Sequence, residues 1–308
     1  MTPRGHRPRL QGSPGLGYRQ ARARRQVALQ FRPAGPWNVR PFAAKMVVSS
    51  STQDARHLST AVAIVMAAGK GTRMKSELPK VLVPTLGRPM IDYVLDALTV
   101  AGVGRIVVVV GYRADDVRKA LSARPGVEFA LQAEQRGTGH AVMSAREQLA
   151  GHDGPVLVVA GDSPLMQPSS LAALLAEFEK TRPACLLGTA MKDDPAGLGR
   201  IVRDADGKFL GIVEERDASD EQKRIREVNL SCYVFNCRDL LGALDKIRAD
   251  NAQGEYYITD CPGVLLAEGK DVRALAVLQP CEALSINNMD ELALVEDAMR
   301  AMGMGAGK

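Results

Sequence analysis

No run of about 18 apolar residues occurs anywhere in the chain, so nothing in it is long and apolar enough to span a bilayer as a helix. A secretory apolar core is missing as well. The five cysteines (Cys185, Cys232, Cys237, Cys261, Cys281) lack the C-x-x-C spacing of zinc or redox sites. Four of them lie in apolar segments, which suits buried thiols in a reducing cytoplasm. Cys232 and Cys237, five apart in one expected strand, belong on opposite faces of it. Histidine is scarce: His6 and His57 lie in or beside the N-terminal arm, and only His140 and His152 fall in the remainder. No repeat of about 20 to 50 residues is visible, which sets aside solenoids and propellers. Residues 1–45 contain no acid at all, against nine arginines and Lys45.

That last absence decides how the net charge of +5 is read. Removing the ten basic residues of the arm from the chain's 40 leaves 30 against 35 acids, so residues 46–308 carry a net charge of −5. The basic character belongs to the arm. Rich in Pro, Gly and Arg and without sustained periodicity, the arm reads as disordered. Three accounts of it stay open: an organellar targeting segment, opposed by its single serine and six prolines; translation starting at Met46; or a region that binds nucleic acid or a partner. The expected organisation is an arm over 1–58, a domain over 59–302 and a flexible tail over 303–308. With 308 residues and 46% hydrophobic content, a sizeable core can be filled.

From residue 61 short β-branched runs alternate with helical spacing. "AVAIVMA" (61–67), "RIVVVVG" (105–111), "VEFALQ" (127–132) and "PVLVVAGD" (155–162) read as strands buried on both faces. Helices are expected over 90–102, 114–123, 139–150 and 169–180. This alternation implies a doubly wound α/β sheet with right-handed crossovers, which binds ligands beyond the carboxyl ends of its strands. The second half changes rhythm. Strands over 184–191, 199–215, with a turn at Asp206-Gly207, and 227–236 suggest an antiparallel lobe. Helices near 238–248 and 289–302 and a strand over 272–278 follow.

The loop "MAAGKGTRM" (66–74) follows the first strand. It fails the P-loop pattern, because Lys70 is followed by Gly71, and it fails G-x-G-x-x-G, because Met74 stands at the third glycine. Its glycines still permit close backbone approach to a phosphate, and Lys70, Arg73 and Lys80 gather cations at the same end of the sheet. A plain glycine turn with solvated charges is the competing account. Asp162, in "GDSPL" after the fourth strand, suits Mg²⁺ or, equally, an N-cap. In "LQAEQRGTGHA" (131–141) the amides of Gln132 and Gln135 offer donors and acceptors for a base edge, though flipped amides do not separate uracil from cytosine. His140 reads as a helix N-terminal residue in preference to a catalytic one.

Taken together, "VMAAGKGTRMKSELPKVL", "LQAEQRGTGHA", "GDSPL", "GLGRIVR", "GIVEERDASDEQ", "EVN", "NAQGEYYITD" and "INNMDEL" resemble, in order and spacing, the uridyltransferase domain of the N-acetylglucosamine-1-phosphate uridyltransferases. The resemblance runs from about residue 61 to 300. It implies a Rossmann-like mixed sheet of the nucleotide-diphospho-sugar transferase type with a small antiparallel sugar-binding lobe. The implied reaction is Mg²⁺-dependent: UTP and N-acetylglucosamine 1-phosphate give UDP-N-acetylglucosamine and pyrophosphate in the cytoplasm, for cell-envelope polysaccharide. It places Met66, Ala67, Ala68, Gly69, Arg73 and Lys80 on the triphosphate, with Arg73 and Lys80 catalytic. Gln132, Gln135, Gly137 and Thr138 would frame the uracil, and Ala160 and Gly161 the ribose. Gly199, Glu214 and Asn229 would meet the amino sugar, while Asp162 and Asn287 would hold Mg²⁺. A solvated charged loop is the competing account of Glu214. Tyr256 and Asp260 receive no role beyond the pocket wall. Leu230-Ser231, Ala160 and Ser285-Ile286 depart from the family pattern and bear on sugar specificity. Many relatives continue into a β-helix acetyltransferase that forms trimers; with nothing after residue 308, acetyl transfer and that trimer are not expected. No membrane partner is expected, and nucleic acid only through the arm. Two alternatives remain: transfer to another sugar phosphate or from another nucleotide, and a non-catalytic binding or regulatory module.

Overall fold

The computed structural model describes residues 61–251 and 253–304. The expectations for the 1–58 arm, including His6 and His57, and for the end of the tail fall outside the described residues. In chain order the strands are β1 (Val62–Met66), β2 (Pro84–Thr85), β3 (Arg88–Pro89), β4 (Arg105–Val110), β5 (Val127–Leu131), β6 (Pro155–Ala160), β7 (Cys185–Met191), β8 (Gly199–Arg203), β9 (Phe209–Val213), β10 (Glu227–Asn236) and β11 (Val272–Ala276). The α-helices are α1 (Met90–Val100), α2 (Ala114–Leu121), α3 (Thr138–Met143), α4 (Pro168–Thr181), α5 (Cys237–Leu244), α6 (Cys261–Ala267) and α7 (Met289–Ala301).

The described strands form one principal sheet ordered β11-β7-β10-β6-β1-β4-β5, with β8 on β10 and β9 beyond β8. β6, β1, β4 and β5 run parallel. β10 lies antiparallel to β6 and β7, and β11 runs parallel to β7. The sheet is therefore mixed, as expected. The antiparallel lobe is the β8–β9 hairpin, closed by the Gly207 N–H donating to Asp204 O at 3.0 Å. It continues the main sheet through β10.

Alternation along β1 explains why its whole run is apolar. Ala63 and Val65 pack in a core with residues of α1, α2 and α4 on one face, while Val62 and Ile64 pack with residues of α3, α5 and α6 on the other. A strand covered by helices on both faces keeps no polar side. β5 departs from that expectation. As a sheet edge it leaves Leu131 51% exposed and Val127 and Phe129 only half-buried, and Glu128 pairs with Arg105 at 2.7 Å, a charge that blunts an edge.

Two further expectations are corrected. The helix read over 139–150 stops at Met143, where the Ser144 hydroxyl donates to His140 O at 2.9 Å and the backbone tightens into 3₁₀ turns ending at Leu149. Cys237 opens α5 instead of extending β10, because the Asn236 side chain accepts from the N–H groups of Arg238 and Asp239 and caps the helix there. Cys232 and Cys237 nevertheless lie in cores on opposite faces. All five cysteines are free; Cys281 alone among them is only half-buried.

Candidate active site

The loop after β1 is held between two neighbouring strand ends. Ala67 N–H donates to Val109 O at 2.9 Å, Tyr112 N–H to Ala68 O at 3.0 Å, and Gly161 N–H to Met66 O at 2.9 Å. Gly71 has φ 67°, and a Cβ there would stand 2.6 Å from the Lys80 Cβ, so only glycine lets the loop pass this close. In the following turn Met74 is buried as an anchor and Arg73 is left exposed. Lys80 opens the next turn, whose Val81 and Leu82 are buried.

Those anchors bring four segments to one point. The Arg73 guanidinium donates to Asn287 Oδ1 at 3.1 Å, and Lys80 Nζ donates to the same oxygen at 3.1 Å and to the Asp162 carboxylate. Asn287 is fixed in turn: its N–H donates to Glu291 Oε2 at 2.7 Å and its amide to Ser285 Oγ at 3.1 Å. Asp162 and Asn287 thus turn one carboxylate and one amide oxygen on a single cationic point. This donor set fits Mg²⁺, a hard ion that takes few protein oxygens and completes its shell with phosphate and water. No cluster of three His, Cys, Asp or Glu exists among the described residues, so a metal here depends on substrate oxygens. Lys70 stands apart, its Nζ 5.2 Å from the centre of the Tyr112 ring.

The next group lies beyond β5. Gln132 is buried at 3% exposure; its amide nitrogen donates to Gly137 O at 3.0 Å and meets His140 Nδ1 at 3.1 Å. A carbonyl accepts only, so the amide is not free to flip, and Gln132 keeps its Oε1 to offer. Gln135 Nε2 donates to Gln132 O at 3.2 Å. Gly137 has φ 102°, and a Cβ there would collide with Tyr256 O. The Thr138 hydroxyl accepts from Ile258 N–H at 3.0 Å, and Tyr256 N–H donates to Arg136 O at 2.9 Å. The 132–138 loop is therefore stitched to the 255–258 segment, which gives Tyr256 a concrete place.

Gly199 and Asn229 are register partners across β8 and β10. The Glu214 carboxylate lies against Gly199, where a Cβ would stand 3.5 Å from both of its oxygens. Burial pushes the Glu214 carboxyl above its usual range; a hydrogen bond with Thr259 opposes this, and the nearby Asp217 and Asp260 add to it. Asn229 is buried, donates to the Tyr233 hydroxyl at 2.8 Å and accepts from Ser231 N–H at 3.3 Å. One N–H and one lone pair of its amide remain. Sequence reasoning missed Thr259 and Tyr233, which hold Glu214 and Asn229, and Ser285 and Glu291, which hold Asn287. Thr259 and Glu291 lie inside stretches already singled out and Ser285 was named only as a departure from the family pattern, while Tyr233 carries no local signal.

Residues 63–254 match the MobA-like NTP transferase domain. Bifunctional protein GlmU of Pelotomaculum thermopropionicum is 46% identical over 238 residues, 77% of this chain and 52% of that protein. GlmU of Syntrophotalea carbinolica is 46% identical over 238 residues, covering 77% and 51%, and GlmU of Streptococcus suis 43% identical over 243, covering 79% and 52%. The chain spans about half the length of these curated relatives. A solved structure of UDP-glucose pyrophosphorylase complexed with UDP-glucose superposes with a TM-score of 0.63 at 19% identity, covering 78% of this chain and 98% of that one. That likeness is one of fold.

Proposed function

We propose, on the premise that this chain belongs to the MobA-like NTP transferase family, that it is a Mg²⁺-dependent uridylyltransferase. It joins UTP and N-acetylglucosamine 1-phosphate into UDP-N-acetylglucosamine and releases pyrophosphate. The observation that carries this reading is the convergence of Arg73, Lys80, Asp162 and Asn287 beside a glycine loop at the carboxyl ends of parallel strands. The similarity to GlmU proteins and the fold shared with a UDP-glucose complex support it.

In this reading a sugar-phosphate oxygen attacks the α-phosphorus of UTP. A phosphate monoester has a second pKa of about 6, so the nucleophile is an anion at neutral pH and needs no general base. The α–β bridging bond breaks, and its electron pair leaves on pyrophosphate. The barrier is dominated by repulsion between anions, which fixed charge and positioning lower. Arg73 and Lys80 take up charge on the departing pyrophosphate, while the backbone of Met66 to Gly69 cradles the phosphates. Mg²⁺, when held by Asp162 and Asn287, supplies further positive charge to the phosphate oxygens. Gln132 presents its Oε1 to the imino N–H that uracil has and cytosine lacks. Gln135, Gly137 and Thr138 complete the base frame, and Ala160 and Gly161 back the ribose. Gly199, Glu214 and Asn229 receive the amino sugar. We place the reaction in the cytoplasm, upstream of envelope polysaccharide.

Pyrophosphate release across a panel of nucleotides and sugar 1-phosphates, with and without Mg²⁺, tests this. UTP with N-acetylglucosamine 1-phosphate is expected to lead the panel and to need the metal. Turnover led by another pair would reassign the substrates, and none with any pair would leave a binding module.

A further inference from the structure

Arg200 is the largest side chain fully buried among the described residues, only 2% exposed, and it plays no part in the chemistry above. Its guanidinium donates to Glu215 Oε2 at 2.6 Å, to Leu198 O and, at 3.5 Å, to Lys223 O. Glu215 Oε2 also accepts from Gly197 N–H at 3.1 Å. One buried cation thus ties together the segment before β8, the loop after β9 and the turn before β10. The arrangement is costly. Arg200 Nε is buried with no partner among the described residues, and with Glu215 34% exposed the desolvation cost falls on the buried guanidinium. What the pair does supply is position. Arg200 is the strand neighbour of Gly199 in β8, and Glu215 follows Glu214 directly in the loop after β9, so tying Arg200 to Glu215 fixes how that loop meets β8 and with it the approach of the Glu214 carboxylate to Gly199.

We infer that Arg200, through Glu215, is a positioning residue for the amino-sugar pocket, holding Glu214 against Gly199 where the sugar hydroxyl or acetamido group is received. This rests on the proposed uridylyl transfer. A pocket with Glu214 displaced costs sugar binding and leaves the nucleotide end in place, because that end is built on the loops after β1, β5 and β6.

The test is steady-state kinetics on the full chain with UTP and N-acetylglucosamine 1-phosphate, comparing wild type with Glu215→Gln, Arg200→Lys and the neutral pair Arg200→Met/Glu215→Gln. Each is expected to raise KM for the sugar phosphate about tenfold, about the worth of one hydrogen bond to the sugar made equally in the bound substrate and the transition state. KM for UTP and kcat should stay within about twofold of wild type. The neutral pair separates positioning from folding: circular dichroism should show it folded while the sugar KM stays high. An unchanged sugar KM in Glu215→Gln, or both KM values rising together, overturns the inference. A wild type that does not turn over this substrate pair contradicts the proposed function itself, a result distinct from variants that match an active wild type.

Discussion

Arg73 reaches Asn287 from an exposed turn whose fold is anchored by the buried Met74, so its guanidinium can be removed without loosening the core. Arg73→Ala is expected to lower kcat by about 10²- to 10³-fold, the usual cost of one preorganised donor to developing charge, with an unchanged thermal transition. Near-normal turnover would remove Arg73 from the mechanism. Glu227 presents a different kind of charge. Burial alone would raise its pKa, but hydrogen bonds from Arg203 (2.7 Å) and Thr189 (2.6 Å) outweigh burial and hold it below the usual carboxylate range. A depressed carboxyl stabilises the fold above its unfolded pKa of about 4.3 and loses that contribution as pH falls through its folded pKa. Glu227→Gln is therefore expected to cost about 1–3 kcal/mol at neutral pH. In urea unfolding the gap from wild type should narrow and close as pH falls below the unfolded carboxyl pKa and through the lowered folded one. A gap independent of pH would mean that the pairing contributes through shape alone.

At the scale of elements, α7 places the loop that carries Asn287. Leu292, Val295 and Met299 share a core with Met74, Met90 and Tyr93, so the helix is moored beside the turn that carries Arg73. Its cap sets the geometry: the Asn288 side chain accepts from Glu291 N–H at 2.9 Å, and Glu291 Oε2 accepts from Asn287 N–H at 2.7 Å. Asn288→Ala should cost about 1 kcal/mol of stability, as lost caps do, and should raise the Mg²⁺ concentration needed for half-maximal turnover. A metal titration that superposes on wild type would separate the cap from the site. Strands β1, β4 and β6 could be read from sequence because burial on both faces writes an unbroken apolar run. The two-residue strands β2 and β3 could not, being too short to show any period. The early end of α3 was hidden for the opposite reason: apolar spacing continues through Leu149, and only the Ser144 hydroxyl on His140 O breaks the helix.

Across the whole molecule, the sheet converts separate sequence signals into a site. Lys80 and Asp162 lie 82 residues apart, and Lys80 and Asn287 207 apart; each residue had a chemical signal of its own, while their meeting follows from β6 beside β1 and α7 folding back. Thr259 and Glu215 lie inside quoted stretches and Tyr233 outside them, but none of their roles could be read there, since what they do depends on a neighbour chosen by topology. Uridylyl transfer is put to the test in one reaction, the full chain with UTP, N-acetylglucosamine 1-phosphate and Mg²⁺, followed by mass spectrometry of the products. UDP-N-acetylglucosamine and pyrophosphate are expected in equal amounts, both abolished by chelating the metal. Absence of the nucleotide sugar, or its undiminished formation without a divalent ion, would contradict Mg²⁺-dependent uridylyl transfer.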